Sequence, residues 1–209
     1  MLPDPPILVI TDRRMASRPL VDVIAAALRG GCRWVLLREP DLTSGARVDL
    51  GRDIEALCKR HRALLSISAD VAAADAVGAG GVHLPQRAAD AEIIARARAA
   101  LGKSTLIGIS CHSLGEAQAA QELGADYVTL SPLFLTESKP GYGPALGTDR
   151  LSTMVAALRL PVLALGGIGP DNAAEVRASG VAGIAVMGII MRAADPEAMF
   201  AGLHHAWRG

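Results

Sequence analysis

The sequence predicts a single-domain (β/α)8 TIM barrel. Three observations carry that prediction: short apolar runs alternate with longer amphipathic ones, the apolar runs number eight, and the helix-to-strand junction repeats. The 209 residues hold eight compact units, and no composition break or linker divides them, so one domain over residues 1–209 is expected. A doubly wound open sheet is the competing architecture for the same alternation.

The elements follow in order. ILVITD (7–12) is the first expected strand and LVDVIAAALRGG its helix; WVLLRE (34–39) and GARVDLGRDIEALCKRH form the second unit. ALLSIS (63–68) and GVHLP (81–85) are the third and fourth strands, with DAEIIARARAALG after the fourth. TLIGISC (105–111) leads to LGEAQAAQELG, and YVTLSP (127–132) leads through a long polar segment to DRLSTMVAALR. PVLALGG (161–167) precedes DNAAEVRASG, and GIAVMG (183–188) precedes DPEAMFAGLHHAW. Several helices begin with Asp or Ser and end with Gly, the asymmetry that helix caps require. In RGGCRWV, ELGADYV and ASGVAGIAV a Gly closes the helix just before the next strand, a unit repeat at the level of structure.

Composition fits this reading. Hydrophobic residues make up 51% of the chain but aromatics only 3%, so the core is built from Ala, Val, Leu and Ile, as parallel sheets and their covering helices require. Twenty-one basic residues balance 21 acidic ones without a run of either sign, which argues against a nucleic-acid partner. Cys32, Cys58 and Cys111 show no CxxC or metal-finger spacing and fit reduced thiols, hence a cytoplasmic location. MLPDPPILVITDRR has no charged leader ahead of an apolar stretch, and no segment offers 18 uninterrupted apolar residues, so neither export nor a membrane partner is expected.

In a barrel the chemistry belongs on the loops after each strand. Strand seven runs into GGIGPDN (166–172) and strand eight into MGIIM (187–191), so Gly166, Gly167, Met187 and Gly188 lie on neighbouring loops. Glycine lets backbone N–H groups approach an anion, which suggests a phosphate site; the alternative is a plain strand-to-helix turn. SPLFLTESKPGYGPALG (131–147) carries Thr136, Ser138 and Lys139, two hydroxyls and an ammonium suited to phosphate oxygens. Its length suggests a lid over a bound anion, against a solvated surface turn. Arg38 offers a bidentate anion contact or an ion pair with neighbouring Glu39.

His112, beside Ser110 and Cys111, could exchange a proton with substrate or cap the next helix. His83 in GVHLPQ reads as a packed, hydrogen-bonded barrel residue, His61, His204 and His205 as surface, and Trp34 and Trp207 as structural. No His, Cys and carboxylate grouping has metal-ligand spacing.

The ordered motifs ITDR, LRE, GVHLPQ, GISCHS, ADYVTLSPLFLTESK, LALGGIGPDN and GIAVMGII resemble the thiamin phosphate synthase/TenI superfamily over nearly the whole length. The resemblance implies a (β/α)8 barrel, a homodimer, and binding of hydroxyethylthiazole phosphate. In the synthases the thiazole displaces diphosphate from hydroxymethylpyrimidine diphosphate, with magnesium as cofactor. The resemblance carries Thr136, Ser138 and Lys139 onto the thiazole and diphosphate contacts, and Ser110 onto a serine at the diphosphate. It carries Gly167 and the 187–188 pair onto the thiazole phosphate loops, with Gly188 where synthases commonly have Ser, and Arg38 onto the arginine of Gln-x-Arg-Glu-Lys.

The same motif departs elsewhere: its Gln is Leu36 and its Lys is Pro40. The magnesium carboxylates fall on Ala69, in Ser68-Ala69-Asp70, and on Ala88. Methyl groups supply no oxygen ligand, which leaves Asp70 and Asp90 as metal candidates reachable only through irregular backbone. The acid/base histidine of TenI falls on Pro132, so a metal-independent thiazole tautomerase would need another base, with His112 the leading candidate. The expected function is therefore a thiamin-biosynthetic transferase of the synthase type. The alternatives are a TenI-like isomerase, a non-catalytic thiazole phosphate or thiamin phosphate binding protein, and another phosphosugar-type barrel enzyme. Lys139, Arg38 and His112 are the catalytic candidates.

Overall fold

In the computed structural model, residues 1–135 and 144–209 are described. Eight parallel strands, each alongside the next in sequence, close into one barrel and exclude the open sheet. They are β1 (Ile7–Ile10), β2 (Trp34–Leu37), β3 (Leu64–Ser68), β4 (Gly81–Pro85), β5 (Leu106–Cys111), β6 (Tyr127–Leu130), β7 (Val162–Leu165) and β8 (Gly183–Val186). Closure comes from β1 against β8, with Ile7 opposite Ile184 and Leu8 opposite Ala185. All eight expected runs contain their strand; those of β3, β4 and β5 end with it, and the other five run on past the strand end toward the mouth.

Outside the barrel stand α1 (Leu20–Arg29), α2 (Ser44–Arg60), α3 (Val71–Val77), α4 (Ala91–Leu101) and α5 (Leu114–Glu122). They are followed by α6 (Gly147–Ala156), α7 (Ala173–Ala178), α8 (Gly188–Met191) and α9 (Pro196–Arg208). The sequence reading had no counterpart for α3 or α8, of seven and four residues. Capping follows local chemistry: Thr43, Asp70, Asp90, Ser113 and Asp195 each accept an amide of the first turn through the side chain.

Strand side chains alternate between two cores. One face packs against the helices, where Val9, Val35, Ile67, Val82 and Val128 meet Ile24, Leu28, Ile54 and Leu203. Each such buried aliphatic side chain contributes about 1.5–3 kcal/mol of transfer free energy. The other face fills the barrel with Leu8, Ile10, Trp34, Leu36, Leu106, Tyr127, Leu163 and Ala185. Trp34 meets Tyr127 edge-on at a 4.8 Å ring separation, two large rings among mostly aliphatic side chains, and Trp34 Nε1–H donates to Ser66 Oγ. Trp207 is also buried.

Cys32, Cys58 and Cys111 are buried free thiols. Burial pushes Cys32 and Cys111 up to about 12, away from the reactive thiolate form. His204 departs from the surface reading: it is half-buried near Phe200, and its Nε2 is shielded with no partner among the described residues.

Candidate functional site

A cavity of about 580 Å³ opens at the C-terminal mouth of the barrel. Ile10, Leu165, Ala185 and Met187 form its apolar floor, Arg38 and Ser131 stand on its wall, and Gly166, Gly167 and Gly188 border it from loops seven and eight.

Loop seven is built for close approach. Gly166 and Gly167 have φ of 117° and 67°, the region where a side chain is strained. A Cβ on Gly167 would stand 2.8 Å from Phe134 Cβ, and one on Gly166 3.1 Å from the Leu133 nitrogen. The backbone explains the crowding: Leu133 N–H donates to Leu165 O and Phe134 N–H to Gly166 O, extending the β6–β7 contact beyond both strands. Leu146 N–H donates to Pro132 O and Gly147 N–H to Leu133 O, so the far end of the long loop six is tied back to its start. Among the described residues the Gly167 and Gly188 amides have no protein acceptor. Thr136, Ser138 and Lys139, and most of the segment expected to act as a lid, lie outside the described residues.

Arg38 and Glu39 do not pair with each other. The Glu39 carboxylate, with its side chain fully shielded, accepts Thr11 Oγ1–H at 2.8 Å, the Arg13 amide at 3.0 Å and Arg13 Nη1 at 3.0 Å. Arg13 continues to Asp41 through two contacts of 2.7 Å. The Arg38 backbone N–H is held by Thr11 Oγ1 at 2.9 Å, while its guanidinium joins the cavity wall with no carboxylate partner among the described residues.

Below the mouth lies a polar line that sequence could not assemble. His83 Nδ1 sits 3.0 Å from the Tyr127 hydroxyl, and His83 Nε2 sits 2.9 Å from Ser110 Oγ. Burial, with a smaller contribution from Arg38, pushes the imidazole down to about 4, so it is neutral near pH 7. His83 is thus the packed, hydrogen-bonded residue expected, and it also ties Ser110 in place.

His112 lies across Ser131 from the cavity. Its Nδ1 is 2.9 Å from the Ser131 carbonyl oxygen, which requires an N–H at Nδ1, and 3.2 Å from Ser131 Oγ. Its backbone N–H donates to Glu116 Oε2, while Glu116 N–H donates to the Ser113 cap. The residue therefore helps to open α5, and its side chain is outside the cavity lining.

The magnesium positions do not fit the metal. Ala69 and Ala88 present methyl groups at the rim. Asp70 is consumed as the cap of α3: Oδ1 accepts Ala73 N–H at 2.9 Å, and Oδ2 accepts Arg47 Nη1 at 2.6 Å and Ser44 Oγ–H at 3.1 Å. Burial pushes this carboxyl up, but those donors outweigh it and hold Asp70 below its ordinary value. Asp90 caps α4 through Ile93 N–H at 2.8 Å. Among the described residues no group of three His, Cys, Asp or Glu side chains could hold a metal.

Comparison with known proteins agrees with this geometry. A family model described as thiamine monophosphate synthase matches residues 7–190. The chain is 39% identical over 197 residues to the thiamine-phosphate synthase of Roseiflexus sp., covering 94% of this chain and 82% of that protein. It is 42% identical over 177 residues to the thiamine biosynthesis bifunctional protein ThiM/ThiE of Symbiobacterium thermophilum, covering 85% of this chain but only 36% of that longer protein. Among solved structures, thiamine phosphate pyrophosphorylase from Pyrococcus furiosus superposes with a TM-score of 0.85 at 32% identity, covering 97% and 95% of the two chains. The likeness to 3-hexulose-6-phosphate synthase, at 21% identity and a TM-score of 0.70, reflects the fold alone. The Roseiflexus protein carries the synthase name and the Pyrococcus structure the pyrophosphorylase name, and neither favours the tautomerase or binding-protein alternatives. The chain belongs to the thiamine monophosphate synthase family.

Proposed function

We propose that this chain, as one cytoplasmic barrel domain and a homodimer, joins hydroxymethylpyrimidine diphosphate to hydroxyethylthiazole phosphate. The thiazole nitrogen lone pair forms the new bond to the pyrimidine methylene carbon. The carbon–oxygen bond to diphosphate breaks, and diphosphate departs with that electron pair. The observation that carries the reading is the pairing of Arg38, which has no carboxylate partner among the described residues, with the Gly167 and Gly188 amides around one cavity. Two anionic groups need two separate sets of donors, and this mouth has both.

The roles follow from position. Loops seven and eight receive the thiazole phosphate through backbone amides. Ile10, Leu165, Ala185 and Met187 pack the rings and exclude water from the reacting carbon. Arg38 neutralises charge on the departing diphosphate from the cavity wall, and Ser110, held by His83 beside that lining, donates to it. Lys139, Thr136 and Ser138 are assigned to the same oxygens by family resemblance. No step runs through magnesium, because Ala69 and Ala88 supply no oxygen ligand and Asp70 and Asp90 are held as helix caps.

Purified protein supplied with both substrates should release diphosphate and form thiamin phosphate in equal amounts. Arg38→Ala should cut kcat/KM by about 100-fold or more, the usual cost of removing one preorganised donor. Absence of product with binding of thiazole phosphate intact would sink the synthase reading.

A further inference from the structure

Resting on that reading only for the identity of the anion, we propose that Tyr127 and His83 are positioning residues. They fix the hydroxyl of Ser110 as a hydrogen-bond donor to a diphosphate oxygen at the barrel mouth.

The three residues come from neighbouring strands β6, β4 and β5 and form one line into the barrel. Tyr127 is fully buried and His83 is 5% exposed, whereas Ser110 is partly exposed one residue from the end of β5. The room for this line is built in. Gly108 lies beside it on β5, and a Cβ there would stand 2.1 Å from Tyr127 Cζ and 2.5 Å from His83 Nδ1.

Proton counting selects one arrangement. A neutral imidazole has one N–H and one acceptor nitrogen. If Nδ1 carried the proton, it would donate to Tyr127, and Ser110 would have to donate to Nε2. The tyrosine O–H would then point into an interior walled by Trp34 and Leu106, with no other acceptor among the described residues. Ser110 would show an incoming anion only lone pairs. With the proton on Nε2, Tyr127 O–H donates to Nδ1 and Nε2–H donates to Ser110 Oγ. Each hydrogen bond of the line then has one donor and one acceptor, and the serine proton is the one left for the mouth. The tyrosine, with no acceptor but His83, thus decides the tautomer, and the tautomer decides that serine is a donor.

The test combines a spectroscopic and a functional readout. In protein labelled with 15N-histidine, long-range 1H–15N correlation spectra should show His83 protonated at Nε2. Tyr127→Phe keeps the ring and removes the donor; it should populate Nδ1–H and weaken binding of inorganic diphosphate by about ten-fold, one hydrogen bond to a charged group. Ser110→Ala should cost about the same, and the double variant Tyr127→Phe/Ser110→Ala should cost no more than either alone. An Nδ1–H tautomer in the unaltered protein would overturn the proposal even if Tyr127→Phe failed to fold. Additive losses, or unchanged diphosphate affinity in Tyr127→Phe, would also overturn it. Synthase turnover enters none of these readouts, so failure of the assigned reaction is distinguishable from failure of the relay.

Discussion

Thr11 Oγ1 donates to the shielded carboxylate of Glu39 at 2.8 Å and at the same time accepts the Arg38 amide at 2.9 Å. One hydroxyl therefore couples β1 to the loop after β2 and sets the backbone from which Arg38 reaches the cavity. Glu39→Ala would leave the Thr11 hydroxyl and the Arg13 amide without their acceptor. A loss of about 2–3 kcal/mol is expected in urea unfolding, with Glu39→Gln losing less because an oxygen remains. Substrate turnover at saturation should fall with it, since the Arg38 backbone is no longer held.

Gly167→Ala tests the phosphate loop. A methyl at φ 67°, 2.8 Å from Phe134 Cβ, forces either the loop or Phe134 to move. A stability loss of about 1–2 kcal/mol is expected from the backbone alone. Titration calorimetry with thiazole phosphate should show weaker binding, while affinity for inorganic diphosphate should change little. Unchanged thiazole phosphate affinity would remove this loop from the site.

His83 predicts a pH dependence. Its folded value near 4 lies below the ordinary one of about 6.5. Between those values the unfolded chain binds a proton that the folded chain does not, so stability rises with pH across that window. Falling pH from about 6.5 to 4 should therefore remove a few kcal/mol. In His83→Gln the same window should be flatter by that amount, measured by urea midpoints at each pH; parallel profiles would refute the assignment.

Asp70 predicts structure rather than metal binding. Its carboxyl is held below the ordinary value, so its stabilisation is present above about pH 4 and is lost as pH falls through the lower folded value. Asp70→Asn should cost about 1 kcal/mol, as loss of an ion pair with Arg47 and a weaker cap, and should leave any response of turnover to magnesium unchanged. Ala69, at φ 59°, occupies a conformation that costs a side chain energy. Ala69→Gly is expected to stabilise by about 0.5–1 kcal/mol, read from the same urea transitions.

Part of the candidate site was legible in the sequence. Gly167, Gly188 and Arg38 could be placed around one cavity because strand ends in a barrel point to one mouth. His112 carried two readings, proton exchange and helix capping, and nothing in ISCHS signals that its Nδ1 meets Ser131 or that its amide meets Glu116. Asp70 and Asp90 begin helices, and the cap signal was present in both. Tyr127 was invisible as a partner of His83, because 44 residues separate them.

The sequence by itself determined the order of units, the eight strands, the barrel and the family. Strand and helix periods, caps and turn glycines act over a few residues and need no partner. Tertiary structure alone decided which polar groups meet. Parallel strand register and barrel closure bring together residues tens of positions apart, such as Glu39 with Thr11 and Ser110 with His83. In a shielded interior each donor must find an acceptor, so geometry and not residue type chose Arg38 for the cavity, Glu39 for the frame and Ser110 for the end of the relay.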